Sequence, residues 1–176
     1  VCPASVAISW GAEIEKWVPE LKRCILGGGQ AERALQIAAA REYDIIITSY
    51  DLMRNDIDLH AKNDYRVCVL DEAQYIKNRE TKLFKSVMQL SARTRFALTG
   101  TPVENRLSEL YNIFDFIMPG YLGTYARFRE KYETPISEHG DQAARVALSK
   151  LVRPFILRRM KKDVLTELPP KTETNC

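Results

Sequence analysis

The most chemically pointed feature of this 176-residue sequence is a pair of adjacent carboxylates, Asp71 and Glu72, closing the apolar run Val67-Cys68-Val69-Leu70. Runs of this kind read as strands of a parallel sheet buried on both faces. Ligands of open α/β sheets bind beyond the carboxyl ends of such strands, so the two acids are placed to meet one. Magnesium takes oxygen ligands, keeps several waters and is commonly held by one or two carboxylates. Asp71 can therefore hold that ion, directly or through water, while Glu72 orients and deprotonates the water that attacks a terminal phosphate. The plain alternative is two surface acids opening a loop, and an Asp-Glu pair alone does not decide between the two.

A second apolar run, Phe96-Ala97-Leu98, ends in Thr99-Gly100-Thr101-Pro102. Small residues admit close backbone approach, and hydroxyls bond to carboxylates or water. Such a tip can sense the state of acids on an adjacent strand, although a simple strand-to-loop turn fits as well. The triplet Gly27-Gly28-Gly29 also follows a strand-like run, yet a phosphate-cradling loop needs Gly-Lys followed by Ser or Thr, and no Gly-Lys occurs in the sequence. The triplet reads as a turn. His60 and His139 stand in polar, loop-like surroundings and suggest no ligand pair; the cysteines Cys2, Cys24, Cys68 and Cys176 lack zinc spacing, and the first three read as small buried hydrophobes of a reducing compartment.

These residues need a scaffold. Residues 23–26, 44–48, 66–70 and 95–98 are predicted strands, and helix-like stretches at 12–17, 31–41 and 81–90 alternate with them. Alternation of this kind predicts an α/β fold with a mostly parallel sheet. Beyond Pro102 the pattern becomes helical, with apolar side chains of residues 107–117 at helical spacing and a Pro119-Gly120 stop. Further helices are expected at 125–132 and 142–152. The predicted division is an α/β part at 1–118 and a helical appendage with linker at 119–176.

Composition bounds the rest. Apolar content of 45% and charged content of 28% match ordinary globular proteins, and no run nears the roughly 18 apolar residues of a membrane span, so no membrane partner is expected. Net charge is +3, unevenly placed: residues 1–75 carry 8 basic and 12 acidic side chains, residues 76–176 carry 18 and 11. The basic second part points to an anionic partner. Half of residues 153–162 are basic, and from the residues alone the stretch reads as a structural helix in which Phe155, Ile156 and Leu157 are core. The opening Val-Cys-Pro reads as a strand already under way, and the expectation is that the sequence was cut from something longer.

In this order, Asp71-Glu72-Ala73-Gln74 and Leu98-Thr99-Gly100-Thr101-Pro102 resemble motifs II and III of the superfamily II helicase-like ATPases, most nearly the Swi/Snf group of double-stranded DNA translocases. The resemblance extends through Ile76-Lys77-Asn78, Val103-Glu104-Asn105, the 110–120 helix and stop, Arg153-Pro154-Phe155-Ile156-Leu157-Arg158-Arg159, Lys161-Lys162-Asp163-Val164 and Leu168-Pro169-Pro170-Lys171. At the front, Val1-Cys2-Pro3-Ala4-Ser5 with Trp10 resembles motif Ia, and Thr48-Ser49-Tyr50 resembles motif Ib. It covers nearly the whole sequence.

The resemblance implies an α/β fold: a RecA-like, parallel-sheet lobe, truncated at its N-terminus and followed by a helical appendage. It implies ATP and magnesium as cofactors, Asp71 as metal ligand and Glu72 as catalytic base. Gln74, Thr99, Gly100 and Thr101 would couple nucleotide state to DNA. Pro3, Ala4, Ser5, Thr48, Ser49 and Tyr50 would touch duplex phosphates, with Lys77, Asn105 and Arg106 as additions to that surface. Arg158 and Arg159 would serve the hinge toward a second RecA-like lobe, itself a partner, and DNA-bound proteins are further candidates. The resemblance thus gives the basic stretch 153–162 a second reading, a hinge with a DNA-facing surface. A family motor also has a phosphate-binding lysine before the present Val1 and arginines in the second lobe, so the fragment alone is expected to neither bind ATP tightly nor hydrolyse it. Strand-separating helicase and non-catalytic binding module are the alternatives. Asp-Glu-Ala-Gln and residues 118–123 resemble bacterial members, which implies a bacterial, cytoplasmic source; a eukaryotic source would imply the nucleus.

Overall fold

In the computed structural model, residues 1–100 and 107–159 are described. Thr101, Asn105, Arg106 and the basic positions from Lys161 onward lie outside them. Two compact units divide the chain between Arg129 and Glu130, later than the Pro119-Gly120 stop suggested. The intervening residues stay with the first unit because Phe128 is buried there and its ring meets that of Tyr111 at 5.0 Å.

The first unit is built on four short strands, β1 (Arg23–Ile25), β2 (Ile45–Ile47), β3 (Asp64–Leu70) and β4 (Ser91–Ala97). β1 pairs with β2 and β3 with β4, both in parallel, with Val69 opposite Phe96 and Leu70 opposite Ala97. Val1 and Cys2 lie between the two pairs. The Val1 ammonium donates to the Val69 carbonyl (2.7 Å) and the Asp71 amide donates back to Val1 O (2.8 Å); on the other side Cys2 and Ser49 form a parallel bridge. All four predicted strands are present.

Helices fill the connections: α1 (Ala7–Trp17), α2 (Gln30–Ala38), α3 (Tyr50–Asn55), α4 (Ile57–His60), α5 (Lys82–Met88), α6 (Leu107–Ile117) and α7 (Tyr125–Phe128). α1 starts a turn and a half before the predicted Ala12, and α3 and α4 stand where no helix was predicted. Gly11 lets α1 lie against β1, since a β-carbon there would come within 2.6 Å of Ile25 Cδ1. The main core gathers Met53, Leu70, Ile76, Val87 and Phe116 around β3 and α5. α6 is buried over most of its surface, and Arg95 fastens its end by donating to Phe116 O (3.0 Å) and Leu90 O (2.7 Å).

One expectation fails. β3 was read as covered on both faces, but only Cys68 and Leu70 are buried, while Val67 (48%), Val69 (37%) and Phe96 (51%) are exposed. Val67 and Val69 line a groove shared with Trp10 and Ile14 of α1.

The second unit, described to Arg159, holds α8 (Thr134–His139) and α9 (Gln142–Val152). Gly140, at φ 63°, ends α8, and the Asp141 carboxylate caps α9 by accepting from the Ala143 (2.8 Å) and Ala144 (3.0 Å) amides. Beyond Val152 a short turn (Arg153–Phe155) leads to an irregular segment. Phe155, Ile156 and Leu157 are exposed, the last by 83%, so they are not the core that the structural reading made them.

Candidate functional site

β3 delivers Asp71 and Glu72 to its carboxyl end, where the chain must turn sharply. Glu72 takes φ 51°, ψ 54°, the only left-handed non-glycine among the described residues, and starts a tight turn of helix at Ala73–Ile76. An L-residue with a long side chain pays about 1 kcal/mol or more for that conformation, and such strain gathers at functional sites. The turn is pinned to the neighbouring strand tip: Leu98 N–H donates to Leu70 O (2.7 Å), and Ala73 N–H donates to Leu98 O (2.8 Å). From the other side α6 supplies Asn112, buried to 3% exposure, whose amide donates to Lys77 O (2.5 Å).

Across this junction the side chains form a relay. The Gln74 amide donates to Glu72 Oε2 (2.6 Å), and the Thr99 hydroxyl donates to Gln74 Oε1 (2.9 Å). The acid pair and the threonine tip, joined from sequence only by their order, are thus in contact through Gln74. Gly100 follows Thr99, exposed.

Asp71 is the more tightly held of the two acids. Its Oδ2 accepts from the Trp10 indole (2.8 Å), its Oδ1 from the Glu72 amide (2.9 Å), and its carbonyl from the Tyr50 hydroxyl (2.7 Å). Each carboxylate oxygen keeps a free lone pair, and one carboxylate with waters and phosphate oxygens is a donor set magnesium accepts. No cluster of three or more His, Cys, Asp or Glu exists among the described residues, so an all-protein metal cage is not what this site offers. The residues present fit magnesium carried in with a nucleotide. A groove of about 520 Å³ opens beside Asp71 and Trp10, running between β2 and β3.

The predicted DNA-facing residues divide. Ala4 and Ser5 are exposed, Pro3 is half-buried and Lys77 is exposed. Thr48 (4%), Ser49 (7%) and Tyr50 (3%) are buried, which corrects the expectation that their hydroxyls meet phosphate. Each hydroxyl is engaged within the protein: Thr48 on Ser49 O, Ser49 capping α3 by accepting from the Leu52 amide, Tyr50 on Asp71. Tyr50 also stacks on Tyr75, ring centroids 4.9 Å apart and nearly parallel. Burial pushes the Tyr50 phenol well above its ordinary value, with the nearby Asp71 charge adding to the effect. Arg158 and Arg159 are exposed in the second unit. Trp10 and Asn112 had no role assigned from sequence, though both contact the acid-bearing segment.

Over residues 1–176 the sequence matches the family described as the SNF2-related domain. The chain belongs to that family. Among relatives, the SNF2-related chain is 43% identical over 182 residues to TATA-binding protein-associated factor MOT1 of Saccharomyces cerevisiae, covering 97% of this chain and 10% of that protein. It is 38% identical over 176 residues to YwqA of Bacillus subtilis, covering 98% of this chain and 19% of that one. The solved SWI2/SNF2 ATPase core of Sulfolobus solfataricus in complex with dsDNA superposes with a TM-score of 0.82 at 39% identity, over 96% of this chain and 35% of that chain. The SNF2-related domain described here is therefore part of a RecA-like ATPase lobe, with the parallel pairs and flanking helices of that core. It spans about a tenth to a fifth of the curated relatives it matches. The yeast protein matches at higher identity than the Bacillus one, so the resemblance of Asp-Glu-Ala-Gln and residues 118–123 to bacterial members does not support a bacterial source. No helix among the described residues is long and apolar enough to cross a membrane.

Proposed function

We propose that this chain is the acid-bearing part of an ATP-driven motor that moves along double-stranded DNA. The observation that supports it most is the relay from Thr99 through Gln74 to Glu72, because it ties the strand tip that would sense nucleotide to the residue that would act on water. In this reading Asp71 would hold magnesium, through water, and the chemistry supplied by that ion when bound would be neutralisation of phosphate charge. Glu72 orients the attacking water and takes its proton. Gln74, Thr99, Gly100 and Thr101 transmit the nucleotide state. Pro3, Ala4 and Ser5, with Lys77, Asn105 and Arg106, meet the phosphates of one DNA strand, while residues 48–50 contribute position rather than hydroxyls. Arg158 and Arg159 serve the connection toward a second RecA-like lobe. Contacts of this kind grip the backbone without reading sequence, as a translocating motor requires.

MOT1 is named for association with TATA-binding protein, and a solved relative is bound to dsDNA. Both names fit a motor whose work falls on DNA-bound proteins, and displacement of such proteins is the output we assign to the intact protein. The test is an ATPase and translocation assay on the intact protein. Duplex DNA is expected to stimulate hydrolysis, and a third strand bound to the duplex is expected to be displaced without separation of the two duplex strands. Unwinding of the duplex itself would point instead to a strand-separating helicase. The 176-residue chain by itself is expected to show no hydrolysis above background.

A further inference from the structure

Asp71 has a partner on every polar atom, and the two that come as side chains from other elements are Trp10 and Tyr50. Its amide donates to Val1 O (2.8 Å) and its Oδ1 accepts from the next amide (2.9 Å), both local to the sheet. The Trp10 indole reaches Oδ2 from α1 (2.8 Å), and the Tyr50 hydroxyl reaches the carbonyl from the first residue of α3 (2.7 Å). We propose that Trp10 is a positioning residue for the magnesium-holding carboxylate and couples Asp71 to the exposed segment 3–5, while Tyr50 ties Asp71 to the buried segment 48–50.

The choice of donor carries the chemistry. An indole N–H donates once and accepts nothing. Being neutral, it fixes the carboxylate rotamer without cancelling the negative charge a cation needs, as an arginine or lysine in the same place would. Outer partners that orient a metal's ligand commonly set affinity by about 10- to 100-fold. The coupling follows from chain continuity. The short helical turn Ala4–Val6 runs directly into α1, so a phosphate that displaces Ser5 moves the helix bearing Trp10. Tyr50 needs no intermediary, because it belongs to the second segment and is itself buried, with its ring stacked on Tyr75 beyond the acid pair. α1 is seated for this by Gly11 against Ile25 and by the cluster of Cys2, Ala7 and Ile47 that Trp10 joins.

This inference rests on the proposed motor function, and its test separates the two. Intact protein is labelled with 5-fluorotryptophan, and the Trp10 signal is identified by its loss in Trp10→Phe. Manganese(II) added with a non-hydrolysable ATP analogue is expected to broaden the Trp10 signal selectively, and duplex DNA alone is expected to shift it. In steady state, Trp10→Phe is expected to raise the magnesium concentration for half-maximal hydrolysis by about tenfold, with less than a twofold change in nucleotide KM at saturating metal. Tyr50→Phe, which removes one oxygen, is expected to move the same quantity in the same direction and serves if Trp10→Phe melts early. A normally melting Trp10→Phe with an unchanged magnesium requirement, or a Trp10 signal indifferent to manganese, overturns the positioning role. A Trp10 signal indifferent to duplex DNA overturns the coupling. Wild-type protein that broadens on manganese yet hydrolyses no ATP with DNA overturns the motor reading and leaves the Trp10 contact standing.

Discussion

At the residue scale, the site is a set of hydrogen bonds that leaves Glu72 in a conformation its side chain disfavours. Gln74 holds Glu72 and Thr99 holds Gln74, so Thr99→Val is expected to loosen the base without removing it, lowering kcat by several-fold while nucleotide KM stays near its original value; a KM effect alone would speak against the relay. His60 is a second residue with measurable consequences. It is 3% exposed, its Nδ1 pairs with the Tyr65 hydroxyl (2.8 Å) and its Nε2 has no partner. Burial lowers its pKa below the ordinary value of about 6.5, so the unfolded chain binds a proton more readily than the folded one. Stability is then full above about pH 7 and falls as pH drops through 6.5 toward the folded value. Thermal melting of His60→Leu beside wild type checks this: the variant is expected to lose much of the pH slope between about pH 7.5 and 5.5, and parallel slopes would contradict it. The strand tips that carry Asp71, Glu72 and Thr99 were legible in the sequence because their apolar runs end in acids or hydroxyls, whereas Gln74 was singled out only through the family resemblance. Trp10 was noted with the 1–5 segment, but its bond to Asp71 was not legible, since an indole 61 residues away gives no local sign of its partner. His60 was misread as a loop residue because its neighbours are polar.

At the element scale, strands were easier to read than short helices. Runs such as residues 45–47 and 67–70 have one consistent reading, whereas α3 and α4 have only 6 and 4 residues and too few turns to show a period. Ser49 carried a helix-start signal, an N-cap serine, that its resemblance to a phosphate-contacting motif obscured. Those two helices are held to α2 by Arg33, whose guanidinium meets Asp56 at 2.6 and 3.1 Å and Gly28 O at 2.8 Å. Gly28, at φ 79°, confirms the glycine triplet as a turn, one whose carbonyl this arginine uses. Asp56→Ala removes a carboxylate that is 1% exposed and strands its partner; a melting temperature lower by about 5 °C or more is expected, and a neutral result would show that the pair does not hold α3 and α4 in place.

At the scale of the whole molecule, the part-exposed apolar side chains of β3 and β4 bear on solution behaviour. Val67, Val69 and Phe96 stand exposed together, and a contiguous apolar patch on a sheet favours association. Sedimentation of the chain is expected to show concentration-dependent self-association, with Phe96→Glu shifting it toward the 20.2 kDa monomer; ideal monomer behaviour at high concentration would contradict this. The order of α and β elements was readable because hydrophobic periodicity is local, but coverage of a face depends on residues far apart in sequence. The central claim is that Glu72 activates water for an ATP-driven motor. Its most direct test is single-turnover hydrolysis by intact Glu72→Gln protein with saturating magnesium, ATP and duplex DNA. Nucleotide binding is expected to persist while the hydrolysis rate falls by about 10²- to 10⁴-fold; a rate within a few-fold of wild type would show that another group activates the water.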